Sequence, residues 1–223
     1  MKNVFLRQSG GNELLIFFNG WSRDVSDVFT LTAPFDVLEV HDYTDLNSDE
    51  LFRLIRPYSR LHLAAWSLGV WAAAAVFEHA GVRFESALAL NGTLHPVHPE
   101  YGIAPDIFDG TISNWPDAGA RERFLRRMAG SGPAAQLLPK PERSPENQQN
   151  ELIAIRQQSS ERNIPVNPYT KAVLGQRDRI IPFAAQERFW AGQGITAVTA
   201  DLPHYPFAGL SSWEEVLNLG NAR

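Results

Sequence analysis

Short, nearly unbroken apolar runs recur at residues 4–7, 14–18, 35–40, 61–66 and 84–90, separated by polar turns or helix-period stretches. Runs that are apolar on both faces belong to strands covered on both sides. Asn47-Ser48-Asp49-Glu50 puts acidic residues at the entry to a helix continuing through 51–55. The alanine-rich stretch 68–80 follows the fourth run at once and reads as a buried helix. Strands alternating with helices predict a mostly parallel central sheet flanked by helices. The segment Ser9-Gly10-Gly11-Asn12 predicts a hairpin joining the first two strands.

The rhythm then changes. From 93 to 166 the chain carries proline-rich turns, two or three short helical patterns and no convincing strand. Strand character resumes at 172–174, passes a helix near 184–190 and returns at 195–200. A last amphipathic helix over 212–219 is opened by a possible capping box, Ser211-Ser212-Trp213-Glu214. We read 93–166 as a helical lid inserted into one α/β domain spanning 1–223, because it offers too little apolar mass for a separate domain. Within it, the Ser/Glu/Gln/Asn-rich piece 142–150 is expected to be a mobile, solvated connection. No internal repeat is found.

Composition narrows the possible chemistry. A chain of 223 residues, 44% hydrophobic and 20% charged, suits one well-buried core. The net charge of -5 argues against a general nucleic-acid binder, whose phosphate-tracking surface would be basic. With 0 cysteines, thiolate catalysis, disulfides and Cys-ligated metal centres are excluded. The start, MKNVFLRQSGGNE, holds no apolar stretch long enough for a signal peptide, and no run approaches the roughly 20 residues that span a bilayer. The expectation is a cytoplasmic monomer without membrane attachment, for which the sequon Asn91-Gly92-Thr93 has no meaning in glycosylation.

The candidate chemistry begins at Ala65-Trp66-Ser67-Leu68-Gly69, where a buried strand hands over directly to a helix. A serine there must turn sharply, so small residues are needed two places before and after it. The turn then holds the hydroxyl clear of the sheet with a helix N-terminus behind it. Ala65 stands where the usual pattern has glycine, a departure of one methyl group. Past the strand at 172–174 comes Asp178, followed by Arg179-Ile180-Ile181-Pro182, and past the last strand comes His204, between Pro203 and Tyr205-Pro206. Each alone reads as a turn residue. Together they give the order Ser, Asp, His at three strand ends, which is the order of the α/β-hydrolase fold. Serine needs an imidazole to take its proton, and an acid fixes that imidazole's tautomer. The oxyanion donors are expected to be the backbone N–H of Leu68 and, from Asn19-Gly20-Trp21-Ser22, that of Trp21.

Other candidates are weaker. His95 and His98 form an HxxH pair, but prolines at 96 and 99 keep them off one helical face, and no third ligand is evident, so neither a metal nor any other cofactor is expected. His41 and Asp42 end a strand, where they are read as packing or capping residues with lining of the site as the alternative, and His62 and His79 are read as ordinary flanking residues. No glycine-rich phosphate loop is present.

Phe18-Asn19-Gly20-Trp21, the Ser67 turn, Leu90-Asn91-Gly92-Thr93 and Tyr101-Gly102-Ile103 together resemble the pimeloyl-acyl-carrier-protein methyl ester esterases of biotin synthesis, in their compact BioG-like type. The resemblance runs from about Leu14 to Phe207 and is loosest between Gly130 and Asn163. It implies hydrolysis of the methyl ester at the far end of a pimeloyl chain carried on acyl carrier protein. Residues 121–143 hold six basic side chains, Arg121, Arg123, Arg126, Arg127, Lys140 and Arg143, against Glu122 and Glu142, so the stretch is +4 and the remainder -9. A basic lid face of this kind, with Arg121, Arg123, Arg126 and Arg127 as docking candidates, suits an acidic carrier, although it is also what an ordinary solvated helix face looks like. Trp21, Phe108, Trp115 and Phe124 are the acyl-pocket candidates, and could equally be core. The rival readings are a general small-ester or thioester hydrolase with no carrier, and a non-catalytic binding protein of the same fold. A complete Ser-Asp-His set speaks against the latter.

Overall fold

The computed structural model describes residues 1–130 and 138–221; residues 131–137 of the predicted lid and the last two residues lie outside the described residues. Among the described residues seven strands, β1 (Lys2–Arg7), β2 (Glu13–Phe18), β3 (Asp36–His41), β4 (Arg60–Trp66), β5 (Ser86–Leu90), β6 (Lys171–Gly175) and β7 (Thr196–Ala200), form one sheet in the order β1-β3-β2-β4-β5-β6-β7. All neighbours are parallel except β1, which runs antiparallel to β3. The helices are α1 (Asp49–Ile55), α2 (Leu68–Phe77), α3 (Pro105–Asn114), α4 (Ala118–Ala129), α5 (Pro145–Glu161), α6 (Phe183–Ala191) and α7 (Trp213–Leu217). Helices α3, α4 and α5 lie between β5 and β6 in the chain.

The predicted hairpin does not form. β1 pairs with β3, and β2 lies on the other side of β3. Burial explains the choice. β2, of sequence ELLIFF, is buried along nearly its whole length and needs a partner on each side, whereas β1 is half-exposed and suits an edge. The glycine turn is spent on a crossing instead: the backbone N–H and hydroxyl of Ser9 both donate to Asp36 Oδ1 at 2.6 Å, at the start of β3.

Helix α2 is apolar around nearly its whole circumference and occupies the middle of the core. It follows Ser67 without a linker, which forces its first turn against the end of β2. A Cβ on Gly69 would lie 2.6 Å from the carbonyl oxygen of Phe18 and closer still to that of Asn19. Only glycine permits that approach.

Two further expectations are corrected. The capping box of α7 is one residue later than predicted, with Ser212 as cap and Glu215 as its reciprocal partner, because the helix starts at Trp213. Residues 142–150 are not a loose connection. Ser144 caps α5 through Asn147 N, Pro145 fits the first turn, and Gln148 and Glu151 are buried. Polar composition misled because these side chains meet polar partners inside the protein.

Replacing Gly69 by alanine is expected to destabilise by about 1–3 kcal/mol, the usual range for overpacking. Thermal unfolding checks this, at about 2–4 °C of midpoint for each kcal/mol. An unchanged midpoint would mean that the contact between α2 and β2 is not tight.

Candidate active site

Ser67 has φ 60° and ψ -129°, a backbone conformation that is costly for a residue with a Cβ. Its backbone N–H donates to Leu90 O at 2.9 Å, and its carbonyl accepts from Val70 N at 3.1 Å, so β5 and α2 hold the turn from two sides. Ser67 Oγ lies 2.8 Å from His204 Nε2, and His204 Nδ1 lies 2.8 Å from Asp178 Oδ2. Asp178 Oδ1 accepts from the amides of Ile180 and Ile181, at 2.8 and 3.0 Å, and Oδ2 also accepts from Gln186 Nε2 at 2.9 Å. A carboxylate already accepting from three other donors takes the Nδ1 proton of His204 as a hydrogen bond. That leaves the Nε2 lone pair for the serine hydroxyl. Ser67, Asp178 and His204 are all buried. The sequence-predicted trio therefore meets in one hydrogen-bonded line.

The imidazole is positioned through its backbone. His204 O accepts from Trp66 Nε1 at 2.8 Å and from Asn91 Nδ2 at 3.0 Å. The same Asn91 amide nitrogen donates to Pro203 O at 2.9 Å, and Asn91 Oδ1 accepts from Gly175 N at 2.7 Å. One buried side chain at the end of β5 thus ties together the loops after β6 and β7.

Above Ser67 is a cavity with room for about 20 Å³, about one water molecule. Its walls include Trp21, Phe108, Phe124, Met128, Leu152 and Ile180, with Gly20, Leu68 and His204 beside the serine. Of the acyl-pocket candidates, Trp21, Phe108 and Phe124 line this cavity. Trp115 does not: it lines a larger groove outside, packs on Trp21 with ring centroids 4.4 Å apart, and donates from Nε1 to Gln148 Oε1 at 3.1 Å. Trp21 and Leu68, the expected oxyanion donors, both line the cavity. Leu68 is the first residue of α2, so its N–H precedes the first intrahelical bond.

The larger groove, about 720 Å³, opens between α3 and α4 and shares Thr111 and Phe124 with the inner cavity. Arg123, Arg126 and Arg127 line it, joined by Arg179 from the loop that carries Asp178. Arg121 does not line it. Its guanidinium turns back to the carbonyls of Trp115 and Pro116, at 2.6 and 2.8 Å, where it satisfies carbonyls at the end of α3.

His98 Nδ1 accepts from the amides of Glu100 and Tyr101, and His95 packs beside it with ring centroids 4.8 Å apart. Among the described residues no group of three His, Cys, Asp or Glu side chains could hold a metal ion. His41 pairs with Glu39 at 2.7 Å and Asp42 with Arg143 at 3.4 Å.

A family model described as pimeloyl-ACP methyl esterase BioG matches residues 1–216. The chain belongs to the BioG family. It is 32% identical to BioG from Haemophilus influenzae, whose crystal structure superposes with a TM-score of 0.86 over 97% of this chain and 100% of that one. It is also 36% identical, over 80% of its length, to a protein of Bacteroides fragilis named malonyl-[acyl-carrier protein] O-methyltransferase. The match spans only 36% of that longer protein. A bromoperoxidase from Bacillus anthracis shares the fold at 15% identity, with a TM-score of 0.64 over 91% of this chain and 88% of that one. This BioG-family protein is a carboxylic ester hydrolase with the α/β-hydrolase fold. No helix among its described residues is long and apolar enough to cross a membrane.

Sequence reading missed Asn91 as a brace, Gln186 as a second partner of Asp178, and Arg179. A polar residue closing a buried strand was the available signal for Asn91, and adjacency to the predicted acid was the one for Arg179. Gln186 carried no signal, because its eight-residue separation from Asp178 acquires meaning only once α6 is folded back. Asn91→Ala is expected to leave buried partners unsatisfied, at about 1–3 kcal/mol for each. Urea unfolding should show that loss, and hydrolysis of a short chromogenic ester should show a lower kcat. Wild-type stability and turnover would mean that the brace is idle.

Proposed function

We propose that the enzyme hydrolyses the methyl ester of a pimeloyl chain carried on acyl carrier protein, with Ser67 as nucleophile, His204 as general base and Asp178 as orienting acid. The observation that carries this reading is the hydrogen-bonded line Ser67–His204–Asp178 at the floor of an apolar cavity, in a chain of the BioG family.

In the proposed reaction His204 Nε2 takes the Ser67 proton as Oγ bonds to the ester carbonyl carbon. The negative charge formed on the carbonyl oxygen is met by the N–H groups of Trp21 and Leu68. Collapse breaks the bond to the methoxy oxygen, and His204 returns the proton so that methanol leaves. Water, deprotonated by the same imidazole, then attacks the acyl-enzyme, frees the carboxylate and restores the Ser67 hydroxyl. The cavity in this conformation admits about one water, so an acyl chain requires the walls over Ser67 to open. That is the sense in which the insertion serves as a lid. The apolar rings of Phe108 and Phe124 suit the methylene chain. The basic groove suits the acidic carrier, with Arg123, Arg126, Arg127 and Arg179 as docking residues in place of Arg121. These arginines are not equally free: Arg126 pairs with Glu122 at 3.3 Å, Arg123 with Asp117 at 3.7 Å, and Arg127 lies over the Phe124 ring at 5.9 Å. Such a carrier and such chemistry belong in the cytoplasm.

Ser67→Ala is expected to lower hydrolysis on the order of 10⁴-fold or more while leaving the fold intact. Activity within tenfold of wild type would remove Ser67 from the role. Reversing Arg123 and Arg127 to Glu should lower kcat/KM for the carrier-linked methyl ester, with the loss shrinking as salt rises, and spare a free methyl ester. Each exposed pair is worth roughly 0.2–1 kcal/mol, so the loss needs several acting together. Equal rates on free and carrier-linked esters in the wild-type enzyme would favour a general esterase without a carrier.

A further inference from the structure

The loop after β2 carries Trp21, and it is held from two directions: by near neighbours, through Asn19 to Glu39 and Arg23 to Asp27, and by residues more than a hundred positions away. Trp21 Nε1 donates to Gln148 O at 2.7 Å. Ser22 N donates to Glu151 Oε2 at 3.3 Å, and Ser22 O accepts from Gln148 Nε2 at 3.2 Å. Arg23 O accepts from Arg143 Nη1 at 3.3 Å, and Asp24 Oδ2 accepts from Glu142 N at 2.7 Å. The other Glu151 oxygen accepts from Tyr43 N at 2.8 Å, so a single carboxylate spans the loops after β2 and β3. Both loops contain a non-glycine residue in left-handed backbone, Ser22 at φ 69° and Asp42 at φ 63°. Such conformations persist only where surrounding contacts over-determine them.

Glu151 is fully buried with its charge partner Arg143 at 2.8 Å, also buried. A buried pair of this kind is weak evidence for stability, since apolar residues of the same volume often do as well. Its placement at the backbone next to Trp21 asks for another role. We infer that Glu151, assisted by Gln148, is a positioning residue that fixes the Trp21 amide where the ester's carbonyl oxygen becomes negative. The inference rests on the proposed reading of Ser67 and of the Trp21 N–H. Burial pushes the Glu151 carboxyl up, while Arg143 and the amides of Tyr43 and Ser22 oppose the rise. Among the described residues its hydrogen-bond partners are all donors, two backbone N–H groups and a guanidinium, while the Asp42 carboxylate acts on it as a like charge. A glutamine amide fits the volume, but it must aim its own N–H₂ at one of these donors.

The test is Glu151→Gln, assayed on a short chromogenic ester and against an alkyl trifluoromethyl ketone, which forms a tetrahedral adduct with a serine hydroxyl. Losing one oxyanion donor costs roughly 10²–10³-fold in kcat, so a displaced donor should cost about 10–100-fold. KM should stay within about threefold and the ketone's inhibition constant should rise in step with the fall in kcat/KM, since both report transition-state binding. A purely structural role would lower the unfolding midpoint without this parallel. Folded Glu151→Gln with kcat within twofold of wild type, or with ketone affinity unchanged, overturns the inference. If that variant does not fold, Gln148→Met keeps the Arg143–Glu151 ion pair and the main-chain bond from Trp21 Nε1, and removes the side-chain bonds to Ser22 O, Arg143 O and Trp115 Nε1; the same parallel loss is expected, and its absence is equally fatal. Ser67→Ala, run alongside, separates the two levels. Activity surviving there sinks the reading of the nucleophile, whereas activity lost there and retained in Glu151→Gln sinks only the positioning role.

Discussion

A serine hydroxyl stands clear of a parallel sheet only if the chain reverses within one residue, and at Ser67 it does so with φ 60°. That single turn sets conditions on everything around it. Helix α2 must start immediately, so its second residue is pressed against the carbonyls ending β2 and has to be glycine. The strand beneath must be buried on both faces, which is why β4 ends in LAAW and why α2 is apolar around its axis. The neighbouring strand must supply the acceptor for Ser67 N, and Leu90 at the end of β5 does. The cost of a left-handed serine, of order 1–3 kcal/mol for such a conformation, is met by these packed neighbours.

The histidine reaches the serine through a different set of forces. β7 lies at the sheet's exposed edge and leads into a loop, the least restrained kind of segment. Asn91 and the Trp66 indole capture that loop by its main chain, leaving both ring nitrogens of His204 to Ser67 and Asp178. Trp66 illustrates how closely the parts depend on one another. It is the residue before the serine, it donates to the carbonyl of the histidine, and its ring faces Gly20 so closely that a Cβ there would sit 2.8 Å from it. A large side chain in the strand therefore requires a small one in the neighbouring loop.

The insertion between β5 and β6 contributes in two ways that pull against each other. Its apolar side, through Phe108, Phe124 and Met128, closes the space over Ser67. Its polar residues Arg143, Gln148 and Glu151 reach under the adjacent loop and bond its backbone. Helix α5 is further fastened to α3 by Arg156 and Asp109 at 2.8 Å and by Gln149 Nε2 to Ile112 O at 2.9 Å.

Local sequence was sufficient for the parts of this enzyme that obey one-dimensional rules. Apolar runs predicted the strands, the small residues around Ser67 predicted the turn, and the order of Ser67, Asp178 and His204 at strand ends predicted which side chains would meet. Those signals survive in a sequence because strand burial and a tight turn each constrain residues a few places apart. The partner of β1, the role of Asn91, the turning of Arg121 back onto α3 and the conversion of 142–150 from a polar stretch into an anchor were all decided in three dimensions. A hairpin signal says that the chain turns, but not which strand waits on the far side. A glutamate in a polar stretch reads as solvated until Arg143, Tyr43 and Ser22 close around it from up to 129 residues away. Burial of a charge depends on its complete set of partners, and that set exists only once the sheet and the insertion have come together.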